Sequence, residues 1–422
     1  MTILTPTATT STTLASIWKK FQAKVSEAVS YKVPEFQMLS DMKEGKYLPT
    51  TREVFRPIRI AQGYGIGAVA EGAARAVPGT AAPVDLTLSL NHYQGQFAIP
   101  QKIMLIAQNG GEDAMIMSQL KYAARDKFDG FTRYLGDSMY TPSTALRALT
   151  ATPLNSATVT LTLQQGLGQT FVTDAGYISR LFAVGDRVQI MNAGTAVALA
   201  VGPITAVSAT TPSITVVYDG ATPTDPGATC QVVLANTLDN TANDYNKGLA
   251  ANIMDIYNAT ILHGISDSTY PQTGPQFTDT SGGRFTGVRF MKGQDAIANF
   301  SPYEADACLI AQDVHRDVVA QYQAQLRFAS PYKMEIDGSI SAEGMTFFKT
   351  KRVPNGFVAL YAKDAWEKFF GRPDVEDFQD IEWSELRPSE NYSFMYGGLD
   401  WVGNTVCNSR PAFAFWTGLS GS

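Results

Sequence analysis

The stretch VDLTLSLNHYQGQFAIPQK, Val84 to Lys102, sets Leu86, Leu88 and Leu90 against Thr87, Ser89 and Asn91. Alternation with a period of two marks a strand with one buried face, and the spacing predicts strand from Val84 to Ile99. A second strand-like run, Val54 to Ile60, comes before it. The residues between are rich in Gly, Ala and Pro. The pair therefore reads as a long hairpin with an irregular tip.

That tip, within IRIAQGYGIGAVAEGAARAVPG (Ile58 to Gly79), contains Gly63-x-Gly65-x-x-Ala68, which matches the glycine pattern of a dinucleotide loop. Such a loop must open a helix and lead to a second strand that ends in an acidic residue. Here Gly72, Pro78, Gly79 and Pro83 break everything after Ala68, and Asp85 begins the next strand. No G-K-[ST] follows, so the stretch is not a P-loop either. It reads as an adaptable hairpin tip.

Upstream, Leu14, Ile17, Trp18, Phe21, Val25 and Val29 recur at helical spacing, predicting an amphipathic helix over Thr12 to Lys32 with no sequence neighbour to pack on. Downstream, Met117, Leu120, Ala124, Phe128, Phe131, Leu135 and Met139 form one stripe of a long helix, Gly111 to Met139. At 1.5 Å per residue it would run roughly 42 Å, a spine.

From Ala148 to Asn236 the composition shifts to Thr, Val, Ala, Gly and Pro. Strands are predicted at Thr158 to Leu163, Arg187 to Met191, Ala196 to Val207, Ser213 to Tyr218 and Cys230 to Leu234. Short strands without helices predict a small β-barrel or sandwich. Beyond it helices are expected at Asn243 to Leu262, Gly287 to Phe300, Gln312 to Arg327 and Ala362 to Phe370. Strands are expected at Ala307 to Ala311, Met345 to Thr350 and Phe357 to Tyr361, and, after an acidic stretch, at Tyr392 to Tyr396 and Ala412 to Thr417.

The chain has 422 residues, 45% of them apolar and 17% charged, with a net charge of −6. Its length favours more than one core, because single domains stop growing near roughly 250–300 residues. The acidic balance argues against gripping nucleic acid by bulk charge. Cys230, Cys308 and Cys407 form no C-x-x-C pair, which favours a reducing compartment and offers no metal framework. The N-terminus lacks the basic start of a secretory signal, and the most apolar run, Ala196 to Val207, falls short of a membrane span, so a soluble, cytoplasmic product is expected.

Chemical motifs are sparse. His315 with Asp313 and Asp317 reads as a surface helix N-terminus with carboxylates in its first turn. The acidic run from Asp374 to Glu385 reads as a charged segment interleaved with Phe378, Ile381 and Trp383. No zinc, nucleophile-elbow or EF-hand pattern occurs, so no catalytic residue, cofactor or metal is expected.

The order of these elements resembles the major capsid protein of tailed double-stranded-DNA phages, the HK97-type fold. So do GMTFFKTKRVPNGFVALYAKDAWEKFF (Gly344 to Phe370) and the ending YGGLDWVGNTVCNSRPAFAFWTG (Tyr396 to Gly418). The resemblance implies an α+β chain with an N-terminal arm (1–50), an extended hairpin loop (51–106) and a spine helix of a peripheral domain (107–147). It further implies an axial domain (237–380) and peripheral C-terminal strands (381–422). The β segment 148–236, with LFAVGDRVQIMNAG (Leu181 to Gly194) like a barrel's opening strand, is similar to the domains that some short-tailed phage coats insert.

In function, the resemblance implies a non-enzymatic subunit that assembles with itself, as hexamers and pentamers of an icosahedral head around packaged DNA, without sequence-specific contact and without a membrane. Scaffolding, portal and cement proteins are the implied partners, the virion capsid the implied location, and the host cytoplasm the implied place of assembly. Some members crosslink a loop lysine to a neighbour's asparagine, but no lysine lies between Tyr47 and Gln101. Non-covalent contacts are therefore expected, with Trp18, Phe21, Glu71 and Arg75 as interface candidates. An encapsulin-like compartment shell, a phage tail or adhesin protein, and a carbohydrate-binding module suggested by Phe171, Tyr177 and Tyr218 stay open as alternatives, as does an enzyme with unrecognised sites.

Overall fold

In the computed structural model the described residues are 38–39, 42–44, 53–59, 83–100, 128–142, 146–152, 154–192, 198–208, 210–220, 229–234, 249–326, 341–342, 345–370, 382–383, 387–388 and 394–419. The chain divides into two compact units. One holds 1–41, 91–137 and 370–403; the other holds the remainder.

The smaller unit is built on an antiparallel pair, Asn91–Pro100 against Phe394–Gly403 of the long strand Phe394–Cys407. Short strands Glu382–Trp383 and Arg387–Pro388 add to the long strand. A helix, described over 128–138, packs on this pair. Gly95 makes the approach possible, because a Cβ there would sit 3.3 Å from the Phe131 ring. Around it Tyr93 packs against Trp401 (5.1 Å between rings) and Tyr134 (5.7 Å), and Leu135 is fully buried. The spine stripe is apolar because it covers this sheet face.

In the larger unit a six-stranded mixed sheet runs in the order Phe277–Asp279, Phe413–Trp416, Val358–Tyr361, Ala307–Ala311, Met345–Thr350, Ser341–Ala342. The strands Phe413–Trp416, Val358–Tyr361 and Ala307–Ala311 are buried at every residue, which explains why they read as continuous apolar runs. Helix Gly287–Phe300 lies on Trp416. At Gly293 a Cβ would collide with the indole, so no larger residue fits there.

Residues between 146 and 234 form a closed, wholly antiparallel barrel. Its strands, in order around it, are Cys230–Leu234, Leu146–Thr150, Thr158–Gly166, Ser213–Val217, Ala198–Ser208 and Arg187–Asn192. Along Thr158–Leu163 burial alternates strictly: Thr158, Thr160 and Thr162 face out, Val159, Leu161 and Leu163 face in. Leu161, Val188, Ile190, Ile204, Ile214, Val216 and Val232 complete the interior. Closure brings Gly202 so near the Val217 carbonyl that a Cβ would overlap it.

Several expectations need correction. Ala362 to Phe370 was expected as a helix, but it forms a single 3-10 turn, Lys363–Ala365, followed by strand Trp366–Phe370 paired in parallel with Lys43–Glu44. Asn243 to Leu262 yields, among its described residues, only a short helix, Ile253–Asn258, capped by Asn252, and then strand Ile261–Leu262. The run Val84 to Ile99 breaks at Leu90 into two strands. Of the C-terminal strands assigned to the peripheral domain, Phe413–Trp416 instead joins the mixed sheet beside Val358–Tyr361. Most of the acidic run, the proposed N-terminal helix and the first half of the spine helix lie outside the described residues.

Candidate assembly elements

Strands Glu53–Arg59 and Pro83–Ser89 pair in register from Glu53 with Ser89 to Arg59 with Pro83, and they form a two-stranded sheet of their own. Isolated ribbons of two strands are marginal in water. This one is anchored at its root: Leu86 and Leu88, each 3% exposed, cluster with Ile265, Phe369 and Val406. Burying each leucine contributes about 1.5–3 kcal/mol.

The polar half of the anchor is a tight turn. Strands Ile261–Leu262 and Ile265–Ser266 pair across His263 and Gly264, both in the left-handed region (φ 52° and 81°). Glycine suits such a turn; histidine adopts it only where its surroundings hold it there. The His263 carbonyl accepts from the Thr87 N–H (3.0 Å) and from its hydroxyl (3.3 Å). The ring Nε2 accepts from the Cys407 N–H at 3.1 Å, which fixes the neutral imidazole. Burial, assisted by the nearby Arg410 charge, lowers the His263 pKa to about 4. Arg410 itself is buried, with both Asp267 oxygens at 2.7 Å from Nη1 and its Nε–H donated to the Ile256 carbonyl. Charge is thus compensated inside the anchor.

Cysteine, histidine and aspartate stand close here, yet they do not make a nucleophilic site. Burial pushes the Cys407 thiol up to about 12, the His263 acceptor is occupied by a backbone N–H, and Asp267 is held by Arg410. A nucleophile needs a thiolate or an adjacent free base. Beside the anchor opens a cleft of about 310 Å³ between the hairpin root, the His263 turn and the segment Cys407 to Pro411.

Among the described residues, Phe171 and Tyr177 link the barrel to the mixed sheet and its connections. Phe171 stacks on Phe357 (5.8 Å, 8°) and meets the edge of Tyr257. The Tyr177 hydroxyl donates to the Arg352 carbonyl at 2.7 Å. Phe357 continues through Phe415 to Phe413 and Tyr361 in one ring ladder. Tyr177 and Tyr218 are buried at 1% and 7% exposure, and Phe171 is engaged in packing. Tyr177 and Tyr218 are therefore core residues, and the half-buried Phe171 ring is stacked on Phe357, so the three do not form a common stacking platform.

Helix Gly287–Phe300 presents apolar side chains to solvent: Val288 (67% exposed), Met291 (53%) and, at its end, Phe300 (59%). Val288 and Met291, three residues apart, share one face of the helix.

Of the sequence-derived candidates, Trp18, Phe21, Glu71 and Arg75 lie outside the described residues. His92 pairs with Asp400 at 3.2 Å. His315 and Asp317, expected on a surface, are buried at 4% and 3%. Asp313 accepts from the Gly356 N–H, and Asp317 is held by Arg284 and Gln321. Among the described residues no three His, Cys, Asp or Glu converge on a metal position, and no helix is long and apolar enough to cross a membrane. The His263 anchor was missed because its segment reads as helix; the signal was the His-Gly pair flanked by Ile-Leu and Ile-Ser.

No family model and no curated protein matches the chain. Among solved structures, the cyanophage A-1(L) capsid asymmetric unit aligns over 92% of this chain and 93% of its own, at 11% identity and a TM-score of 0.53. A structure from Mycobacterium phage Bobi (91% and 91%, 10% identity, TM-score 0.44) and the capsid of an empty GTA particle (91% and 90%, 10%, 0.43) also align. The first of these aligns nearly end to end, and on that correspondence the chain has the α+β HK97-type capsid fold.

Proposed function

We propose that this chain is a structural shell subunit, the coat protein of a tailed-phage head, assembling with itself by non-covalent contacts around packaged double-stranded DNA. The observation that carries the reading is the hairpin Glu53–Arg59/Pro83–Ser89, which pairs with no third strand among the described residues while its root is firmly anchored. A ribbon held at one end gains most by lying on another subunit, and many such contacts summed over a closed shell give large total stability. Val288 and Met291 supply a second surface for the same purpose.

Within this reading residues 1–50 act as an arm and 51–106 as the extended loop. The helix-bearing unit is peripheral, the mixed sheet with Gly287–Phe300 is axial, and the barrel is an inserted module. Trp18, Phe21, Glu71 and Arg75 serve as interface residues. Scaffolding, portal and cement proteins act as partners, and assembly takes place in the host cytoplasm. The subunit performs no catalysis.

Electron microscopy of the purified full chain tests this: closed polyhedral particles are expected, and rods or small discrete oligomers would overturn it. With no lysine between Tyr47 and Gln101, such particles should run as monomers in hot SDS. A covalent ladder would refute the non-covalent clause.

A further inference from the structure

We propose that Asn355 is a site of spontaneous covalent modification, closing onto the Gly356 nitrogen as a succinimide, with the Asp313 carboxylate as the base, and opening to aspartate or isoaspartate. The inference stands independently of the shell reading.

The sequence supplies the dipeptide. Asn-Gly occurs at Asn109-Gly110 and at Asn355-Gly356, and the second lies among the described residues. In such a pair the glycine nitrogen can attack the asparagine Cγ, and glycine, having no Cβ, obstructs that approach least.

The fold supplies the base. Pro354 to Phe357 form a tight turn, closed by the Phe357 N–H on the Pro354 carbonyl at 3.2 Å, with Gly356 in the left-handed region (φ 70°). The turn directs the Gly356 N–H at Asp313 of helix Gln312–Leu326, whose Oδ2 accepts it at 2.9 Å. A base must stand within hydrogen-bond reach of the proton that it takes, roughly 2.6–3.2 Å, and this carboxylate does. Its other oxygen, Oδ1, is shielded from solvent and has no hydrogen-bond partner among the described residues, so no second donor there competes for the carboxylate. Asn355 itself is half-buried, which leaves it within reach of water.

The steps balance. As the Gly356 N–H proton passes to Asp313, the nitrogen bonds to the Asn355 Cγ. The Cγ–Nδ2 bond then breaks, and the proton leaves with that nitrogen as ammonia. One water opens the ring at either carbonyl, giving aspartate or an isoaspartate whose backbone is longer by one methylene. Asp313 ends unchanged. The turn also carries the seam with the barrel: the Gly356 carbonyl accepts from the Leu419 N–H at 3.0 Å, and the next ring, Phe357, holds the Phe171 stack. A lengthened backbone at Asn355 therefore bears on both contacts.

The test incubates the full folded chain at neutral pH and maps its peptides by mass spectrometry, where conversion adds about 1 Da. Asn355 is expected to convert at least as fast as in the urea-unfolded chain, which has lost the base. An intact Asn355 in the folded chain, over the time in which the unfolded chain converts, would overturn the proposal.

A pH profile separates a base from a merely structural acceptor. Unassisted closure depends on hydroxide and rises roughly tenfold per pH unit, whereas closure assisted by Asp313 should change by less than about threefold between about pH 6 and 8. Asp313→Asn keeps an acceptor for the Gly356 N–H and removes the base. Conversion of Asn355 should then slow at least about fivefold and regain the steep profile, while Asn109 in the same molecules keeps its rate. An unchanged rate in this variant, or a steep profile in the unmodified chain, would refute the role of Asp313. Should the variant fail to fold, the profile of the unmodified chain decides alone.

Discussion

Thr87 and His263 meet through a single carbonyl oxygen that takes two hydrogen bonds, one from the threonine backbone at 3.0 Å and one from its hydroxyl at 3.3 Å. This oxygen ties the ribbon to the turn beneath it. The neighbouring glycine, Gly264, has φ 81°, and a Cβ there would stand 2.9 Å from the Thr87 hydroxyl. Gly264→Ala should therefore lower stability by about 1–3 kcal/mol, through backbone strain and displacement of Thr87. Denaturant unfolding followed by tryptophan fluorescence measures it, and an unchanged midpoint would show that the anchor yields freely.

Acid should act on the same turn. The folded chain keeps His263 neutral, with a pKa lowered to about 4, whereas an unfolded histidine titrates near 6.5. Between these values the unfolded chain binds a proton that the folded chain refuses. Stability therefore falls as pH drops from about 6.5 to 4, by roughly 3 kcal/mol for this group alone. Asn tolerates the left-handed region and does not titrate, so His263→Asn should flatten that part of the pH–stability curve. An equally steep curve in the variant would assign the acid sensitivity to other groups.

Among the described residues, Phe171 and Tyr177 both reach from the barrel toward the mixed sheet. Phe171→Ala removes the ring stacked on Phe357 and should cost about 1–3 kcal/mol; Tyr177→Phe removes only the bond to the Arg352 carbonyl, about 1 kcal/mol. Hydrogen exchange should rise at Arg352 to Val358 while the barrel strands stay protected. Loss of protection throughout the barrel would mean that it does not fold independently of its docking.

On the exposed helix face, Val288→Glu with Met291→Glu should leave folding intact and abolish particle formation. Circular dichroism and sedimentation velocity report the two separately. Normal particles from the double variant would remove this face from the shell contacts.

Legibility followed the strength of local periodicity. Gly287–Phe300, Ala307–Ala311, Met345–Thr350 and Cys230–Leu234 match their sequence-derived bounds, since burial and pattern agree there. Ala362 to Phe370 misled because Trp366, Phe369 and Phe370 fall at helical spacing. Pairing with Lys43–Glu44, hundreds of residues away in sequence, overrides that local preference. The anchor at His263 was opaque for a related reason: its partners, Thr87, Cys407 and Arg410, are brought together only by the tertiary fold. Trp18, Phe21, Glu71 and Arg75 came from the family resemblance and from composition, and the described residues leave them as proposals.

The barrel closes strand upon strand, and so offers no open edge onto which a foreign strand could add. A sheet with a bare rim invites edge-to-edge aggregation; a closed one meets its neighbours through side chains and loops alone. For engineering, exchange of the segment between Leu146 and Leu234 is a direct trial of that closure. A different self-contained fold could replace it, provided that the replacement keeps an aromatic to stack on Phe357 and a donor for the Arg352 carbonyl.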